Sequence, residues 1–497
     1  MAEEYKYDED IVDQPDMMLT DDALEEKEQR MDYEQESEMH SLASSMTEKW
    51  EEYKNARTDI EDRWLEDLRA FNSQYDADVL GKVNASDGKR SKVYVGLTRT
   101  KCIAAYSRIV DLLFQAGDRF WNIEPTPIAD IGPQAEQDLA QQAIQEVTQL
   151  TGENPIDSRE LIGARMDELA GDFQDEMQAR AQQASDDMQT LIDDQLVEED
   201  AEIKIKQALM EMVIMGSGCI KSATIKIKKT ERFFQDPTDG QFTLMYEEEP
   251  APDIEAVSIF DIYPDPYAST MNEADGLFRR HILNRSQFKK LGESDGFDQD
   301  LIDQCLRMYA EGNHTEASHE KERRDIANVN RLGESNRFEV LEYWGLVSGH
   351  DLKNYGIDIE DESDQYQANV WISSGKVLKA QLNPIMTQRI PYQIFPYEKT
   401  PHQFWGVGVA RMMRDSQATM NAATRMYIDN IAISSAPMIE VNSDLLAAGE
   451  DPTDIYPMRV FIREGGDASV PMMRFYQPNN VTQGLGNIIE MFRTFAD

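Results

Sequence analysis

The sequence is short of basic residues, of cysteine and of long apolar runs. It holds 49 lysines and arginines against 94 aspartates and glutamates, a formal net charge of −45 at pH 7 over 497 residues. A protein that gripped nucleic acid by its phosphates would need the opposite sign, so any DNA met here is expected to pass rather than be held. The same acidity also suits a purely solubilising surface. Cys102, Cys219 and Cys305 are odd in number and far apart, which excludes a disulfide framework and fits a reducing compartment. No apolar run approaches the ~18 residues that span a bilayer, and the N-terminus lacks a basic region followed by a hydrophobic one. No membrane partner is expected.

Catalytic signatures are also missing. The six histidines, His40, His281, His314, His319, His350 and His402, show no metal-ligand spacing to another His, Cys or Glu on a regular element. There is no Walker loop, no Gly-x-Ser-x-Gly elbow and no His-Glu-x-x-His. Gly216-Ser217-Gly218 follows a helix and enters a strand, the reverse of the order a phosphate loop needs. Gly406-Val407-Gly408 lacks the third glycine of a dinucleotide fingerprint. Lys226, Lys228, Lys229 and Arg232 beside Phe233 read as an exposed strand face. The expectation is no catalytic residue, no metal and no cofactor. Carboxylates are nevertheless so abundant that counting alone leaves open a metal-dependent nuclease site.

What is present is a soluble composition, 40% hydrophobic and 29% charged, with room for two to four domains. The stretch Thr400 to Pro437 stands out. Thr400, Pro401 and Gln403 form a helix start signal, Gly406 and Gly408 interrupt it, and a long helix is predicted from about Val407 to Ser434. Roughly 27 residues at ~1.5 Å each give a rod of about 40 Å. Val409, Met413, Met420, Tyr427 and Ile431 recur along it as one apolar stripe. Arg411, Arg414, Asp415, Asn421 and Arg425 fall mostly off that stripe, and a change at Asn421 is expected to cost little.

Residues 1–45 are crowded with Asp and Glu and read as a disordered acidic tail. Order is expected near Trp50, with a helix through Trp64 to Phe71, a Gly- and Lys-containing loop at 81–92, a strand at Val93-Tyr94-Val95, and a helix from Thr98 that buries Cys102 and Ile109. Residues 134–209 are Ala-, Gln- and acid-rich and predict long, mostly solvent-facing helices. A Gly turn at 216–218 then gives way to period-two strand pattern. Further strands are predicted at 242–248, 254–262, 338–345, 370–373, 377–380, 438–441 and 459–463. A capped helix is predicted at 284–291, a less regular helical region at 301–330, and a helix at 488–495.

Ser91-Lys92-Val93-Tyr94-Val95-Gly96-Leu97-Thr98, Trp121 to Pro127, Met215 to Lys221 and Tyr263-Pro264-Asp265-Pro266 follow one another along the chain. Leu341-Glu342-Tyr343-Trp344, Ile390-Pro391-Tyr392 and Phe404-Trp405-Gly406-Val407-Gly408 continue the series, with Gln417, Asn421 and Asp429-Asn430. Each is weak alone, and in this order they resemble the portal proteins, or head-to-tail connectors, of short-tailed, podovirus-type phages. The resemblance implies an α+β chain with a mixed α/β wing, a helical stem and a small β-rich clip. It implies a homo-oligomeric ring of about twelve subunits. Such a ring sits at one capsid vertex of the virion after assembly in the host cytoplasm. It passes double-stranded DNA in packaging and ejection without sequence-specific binding. Its partners would be the terminase packaging motor, tail adaptor proteins, and the major capsid and scaffolding proteins.

By position, the wing takes 46–290 including the helices of 134–209, the first stem helix 291–335, the clip 336–399 with Glu342, Tyr343 and Trp344, and the second stem helix 400–434. Residues 435–497 would return to the wing and channel, with the helical crown absent or truncated, since the sequence stops inside an apparent helix. The stripe Val409, Met413, Met420, Tyr427 and Ile431 would be stem packing. Arg411, Arg414, Asp415, Asn421 and Arg425 would face the channel or a neighbouring subunit, and the abundance of acid favours inter-subunit pairing for the arginines. Two rival readings remain, a metal-dependent nuclease and a non-channel head-assembly scaffold or adaptor.

Overall fold

The structure, a computed structural model, describes residues 42–84, 90–114, 121–126, 132–151, 159–235, 242–329, 336–435, 438–467 and 469–496. The acidic tail expected over 1–45 lies outside these residues except for 42–45, which open a helix, with Leu42 and Ala43 buried. The chain divides into two compact units. One takes residues 1–102, 211–219 and 257–497, and the other 103–210 and 220–256.

In the first unit, α1 (42–56) and α2 (Thr58–Phe71) meet at a break on Arg57, whose buried guanidinium donates to the carbonyls of Ile259 and Phe260 at 3.0 and 2.8 Å and lies over the Tyr263 ring. α3 (Ala77–Asn84) follows, so the loop predicted from residue 81 begins as a helix. Residues 93–95 form no strand and pair with none among the described residues. α4 (Leu97–Leu113) opens in this unit and buries Thr98 and Cys102.

The second unit contains α5 (Pro133–Thr151), α6 (Arg159–Glu198) and most of α7 (Ala201–Met215). α6 has 40 residues, about 60 Å of helix at ~1.5 Å per residue. Ala143, Val147 and Leu169 are buried, Arg165 pairs with Glu146 at 2.8 Å, and Leu191 and Val197 stay exposed, in keeping with the Ala- and acid-rich pattern. β1 (Ser217–Gln235) and β2 (Phe242–Val257) form a long ribbon, with Arg232 paired to Glu247 and Glu249. The two strands expected at 242–248 and 254–262 are therefore one strand to Val257 and then a 3-10 turn at Ile259–Asp261.

The core of the first unit is an antiparallel sheet of β3 (Ile262–Pro264), β4 (Gly276–Asn284), β5 (Arg337–Ser348), β6 (Gln365–Ser373) and β7 (Lys376–Leu382), in that order. β4 and β5 pair from Gly276 opposite Gly345 to Asn284 opposite Arg337. Alternate residues of β5 serve opposite faces. Tyr343 and Val347 pack with Trp50 and Met46 of α1, whereas Phe338 and Val340 pack on α8 (Arg285–Leu291) and α9 (Gln299–Met308). α8 starts on a capping box between Asn284 and Gln287.

The single helical region expected at 301–330 is α9 and α10 (Ser318–Ile326), parted by residues 309–317. Gly312 lies within the break. It has φ +90°, and a Cβ there would meet Arg337 O at 2.2 Å. α11 (Gly349–Asn354) and β8 (Tyr392–Pro396) complete the approach to the stretch 400–437, where no helix starts at Thr400. Instead α12 (Val409–Met412) forms a first turn and α13 (Arg414–Ser435) the main rod of 22 residues, about 33 Å at ~1.5 Å each. β9 (Met438–Val441) pairs with β10 (Met473–Tyr476), and α14 (Thr482–Phe495) packs on α13. Residues 459–463 form no strand, only an isolated bridge of Arg463 to Leu446.

Candidate functional site

The site is the seat of α13. Its N-terminal side is a crossing of two backbones that only glycine permits. A Cβ on Gly408 would lie 2.5 Å from Ile214 O and 2.6 Å from Gly216 N, and one on Gly406 would lie 2.2 Å from Gly216 O. Gly216 itself has φ +94°. Gly406 N donates to the Ser217 hydroxyl at 2.9 Å, Tyr397 N donates to Gly216 O at 2.8 Å, and Arg63 donates to Gly406 O at 2.7 Å. Both glycine motifs thus serve close approach of main chains, not a phosphate.

Along α13 a polar row holds residues 91–96 and the first turn of α4. Gln417 accepts from Thr98 N and from its hydroxyl, both at 3.0 Å, and donates to Val95 O. Asn421 accepts from Val95 N at 2.9 Å, and Asp429 accepts from Ser91 N at 2.7 Å. These N–H groups are taken by side chains, which is why 93–95 needs no partner strand despite its β-branched residues. One position on, Asn430 accepts from Val481 N at 3.0 Å and donates to Asn479 O, which fixes the start of α14.

The charged side of the seat is an arginine–carboxylate cluster. Arg411 and Arg414 both reach Glu66 of α2, at 2.6 and 3.1 Å. Next to it Asp67 is buried, its Oδ2 without a hydrogen-bond partner among the described residues. Burial pushes its carboxyl up to about 7, against the pull of Arg411 and Arg63. A cavity of about 370 Å³ adjoins the cluster, lined by Tyr75, Tyr94, Arg414, Gln417, Asn421 and Arg425, with the Arg425 guanidinium over the Tyr75 ring.

The predicted stripe divides. Val409, Met413 and Met420 are buried within the chain's own core, Tyr427 is half-buried, and Ile431 is exposed. Asn421 departs from expectation. It is only 3% exposed and carries two hydrogen bonds, so it is no tolerant surface position. Within the chain Arg411 and Arg414 both pair with Glu66, while Arg414 keeps about half of its side chain exposed and Asp415 stays exposed. Glu342, Tyr343 and Trp344 lie in the middle of the sheet, not on a surface. Glu342 is buried and takes hydrogen bonds from Trp344 Nε1 at 2.7 Å and Tyr392 Oη at 2.8 Å, with His281 Nε2 at 2.9 Å. Reading the sequence for apolar period missed the polar row, whose signal is the spacing of Gln417, Asn421, Arg425 and Asp429 by four.

Among the described residues no group of three or more His, Cys, Asp or Glu could hold a metal ion, and no helix is long and apolar enough to cross a membrane. The sequence profile described as Phage SU10 portal protein matches residues 163–496, about two thirds of the chain. The chain belongs to that family. As a phage portal protein, of a family that is non-enzymatic, it gives the glycine crossing, the polar row and α13 a setting in which structure rather than catalysis is the task. The matched span holds β1 to β10 and α7 to α14. It leaves out α1 to α5 and the segments 91–98 and 121–127 on which part of the resemblance rested. Comparison with curated proteins gives no match.

Proposed function

We propose that this portal-family chain assembles into a ring of about twelve subunits at one capsid vertex, with α13 as the second stem helix. Double-stranded DNA passes through that ring during packaging and ejection, and the ring docks first the terminase motor and then the tail. The major capsid and scaffolding proteins surround it in the virion, after assembly in the host cytoplasm. The family match over 163–496 carries this reading. The charge supports it physically, because a wall that is net acidic offers a phosphate rod weak repulsion, screened within about 10 Å at ordinary salt, in place of binding wells.

In this reading the wing and the clip share one sheet. β4, expected in the wing, pairs along its whole length with residues 337–345 of β5, expected in the clip. The first stem helix is not supplied by 291–335 as one rod, since α9 and α10 are short.

The test is electron microscopy with native mass spectrometry on the purified chain. Rings of about twelve subunits are expected. A monodisperse monomer at micromolar concentration overturns the reading. Cleavage of DNA on adding magnesium would favour the nuclease instead, and discrete non-annular complexes the scaffold.

A further inference from the structure

Two observations converge on the last part of the chain. After Ser434 no described residue is buried, although 438–496 holds two strands and a helix. A two-stranded ribbon is marginal without apolar cover, and α14 is covered along one side, where it packs on α13. On α14 the row Leu485, Ile489 and Phe492 is half-buried, and the row beside it is open, with Ile488, Met491 and Phe495 at 37, 45 and 69% exposure. α13 likewise leaves Met426 and Ile433 exposed, seven residues apart on one side of the rod.

The second observation is charge. α13 carries Arg414, Asp415, Arg425 and Asp429, and α14 carries Glu490 and Arg493, so this helix pair is net neutral in a chain of −45. Copies of so acidic a chain repel one another over most of their surface. They can approach most closely where a surface carries little net charge and apolar area is open, and α14, with Glu490 and Arg493 as its charged residues beside the open row, meets both conditions. A basic partner would be drawn instead to the acidic surfaces that this face lacks.

We infer that the open row Ile488, Met491 and Phe495 of α14 packs against the neutral α13–α14 face of a second copy. This inference rests on the ring reading and names the surface by which one subunit meets the next. A ring makes the contact head-to-tail, so every copy both offers and receives it.

The experiment compares wild type with Ile488→Asp, Met491→Gln and Met386→Asp, the last being fully exposed on another loop. Subunit number is read by native mass spectrometry over a concentration series, with circular dichroism and thermal melting to report the fold. Ile488→Asp should raise the concentration for half-assembly at least about thirtyfold, as a central interface residue does. Met386→Asp should leave it unchanged. If Ile488→Asp lowers helix content, Met491→Gln, which introduces no charge, serves in its place and should shift assembly in the same direction. Folded variants of both α14 positions that form rings at wild-type concentration overturn the inference and leave the ring standing. A wild type that stays monomeric overturns the ring itself.

Discussion

Asp67 is the residue at which the sequence is least informative, because one more carboxylate among so many carries no signal. In the structure it is buried beside three arginines, and burial still wins over them, holding its carboxyl at about 7 against an ordinary 3.8. The sign of the consequence follows from linkage. Between those two values the folded chain keeps a proton that the unfolded chain has lost, so this group erodes stability as pH rises from about 4 to 7. Asp67→Asn, which cannot ionise, should flatten that limb and raise the melting temperature at pH 8 relative to wild type, with little change at pH 4. Melts across pH 4–8 decide it, and a variant less stable than wild type at pH 8 would mean that the arginines govern. Asn421 teaches the same lesson differently. Helical period marks it as polar and outward, yet Val95 N and Gln417 consume it, and neither contact is visible until 91–98 is laid along the helix.

At the scale of elements, most helices and strands are legible because burial imposes a period. α8 with its capping box, β5 with its two buried faces, and α14 all follow from local pattern. Pattern says which residues leave water, but not which group receives a backbone N–H. That is why 93–95 reads as a strand and is not one, and why 301–330 reads as one region although residues 309–317 divide it. Glycines show the same limit, since a crossing and a mere helix position look alike in sequence. Gly408→Ala should cost about 3 kcal/mol, because the added methyl meets main-chain atoms that cannot swing aside. Gly484→Ala, inside α14 with nothing within 4 Å of the new Cβ, should stabilise by up to about 1 kcal/mol. Denaturant unfolding of the two variants tests the contrast, and equal tolerance would mean that the crossing yields.

For the whole molecule, net charge is the property the sequence states most plainly. Copies of a −45 chain brought together repel, and salt screens that repulsion, with a Debye length of about 30 Å at 0.01 M and about 8 Å at 0.15 M. Association should therefore strengthen with salt, opposite to a complex held by ion pairs. The half-assembly concentration should fall as sodium chloride rises from about 0.01 to 0.5 M, measurable by light scattering. Weakening with salt would show that subunits meet through opposite charges instead. The division into two compact units is less legible, because each is assembled from separate stretches of chain and no linker marks their limits.

The glycine crossing also sets how motion travels. Where neighbours touch through side chains, those chains can turn about their bonds and absorb a small displacement. Between Ile214–Ser217 and Gly406–Gly408, main chain rests on main chain and is tied by the Gly406 amide. Any tilt of the last turn of α7 must then be handed on undiminished to the start of α12 and α13. The joint works as a rigid coupling rather than a hinge, and the amides of Tyr397 and Gly406 should be among the slowest in the chain to exchange their protons with water.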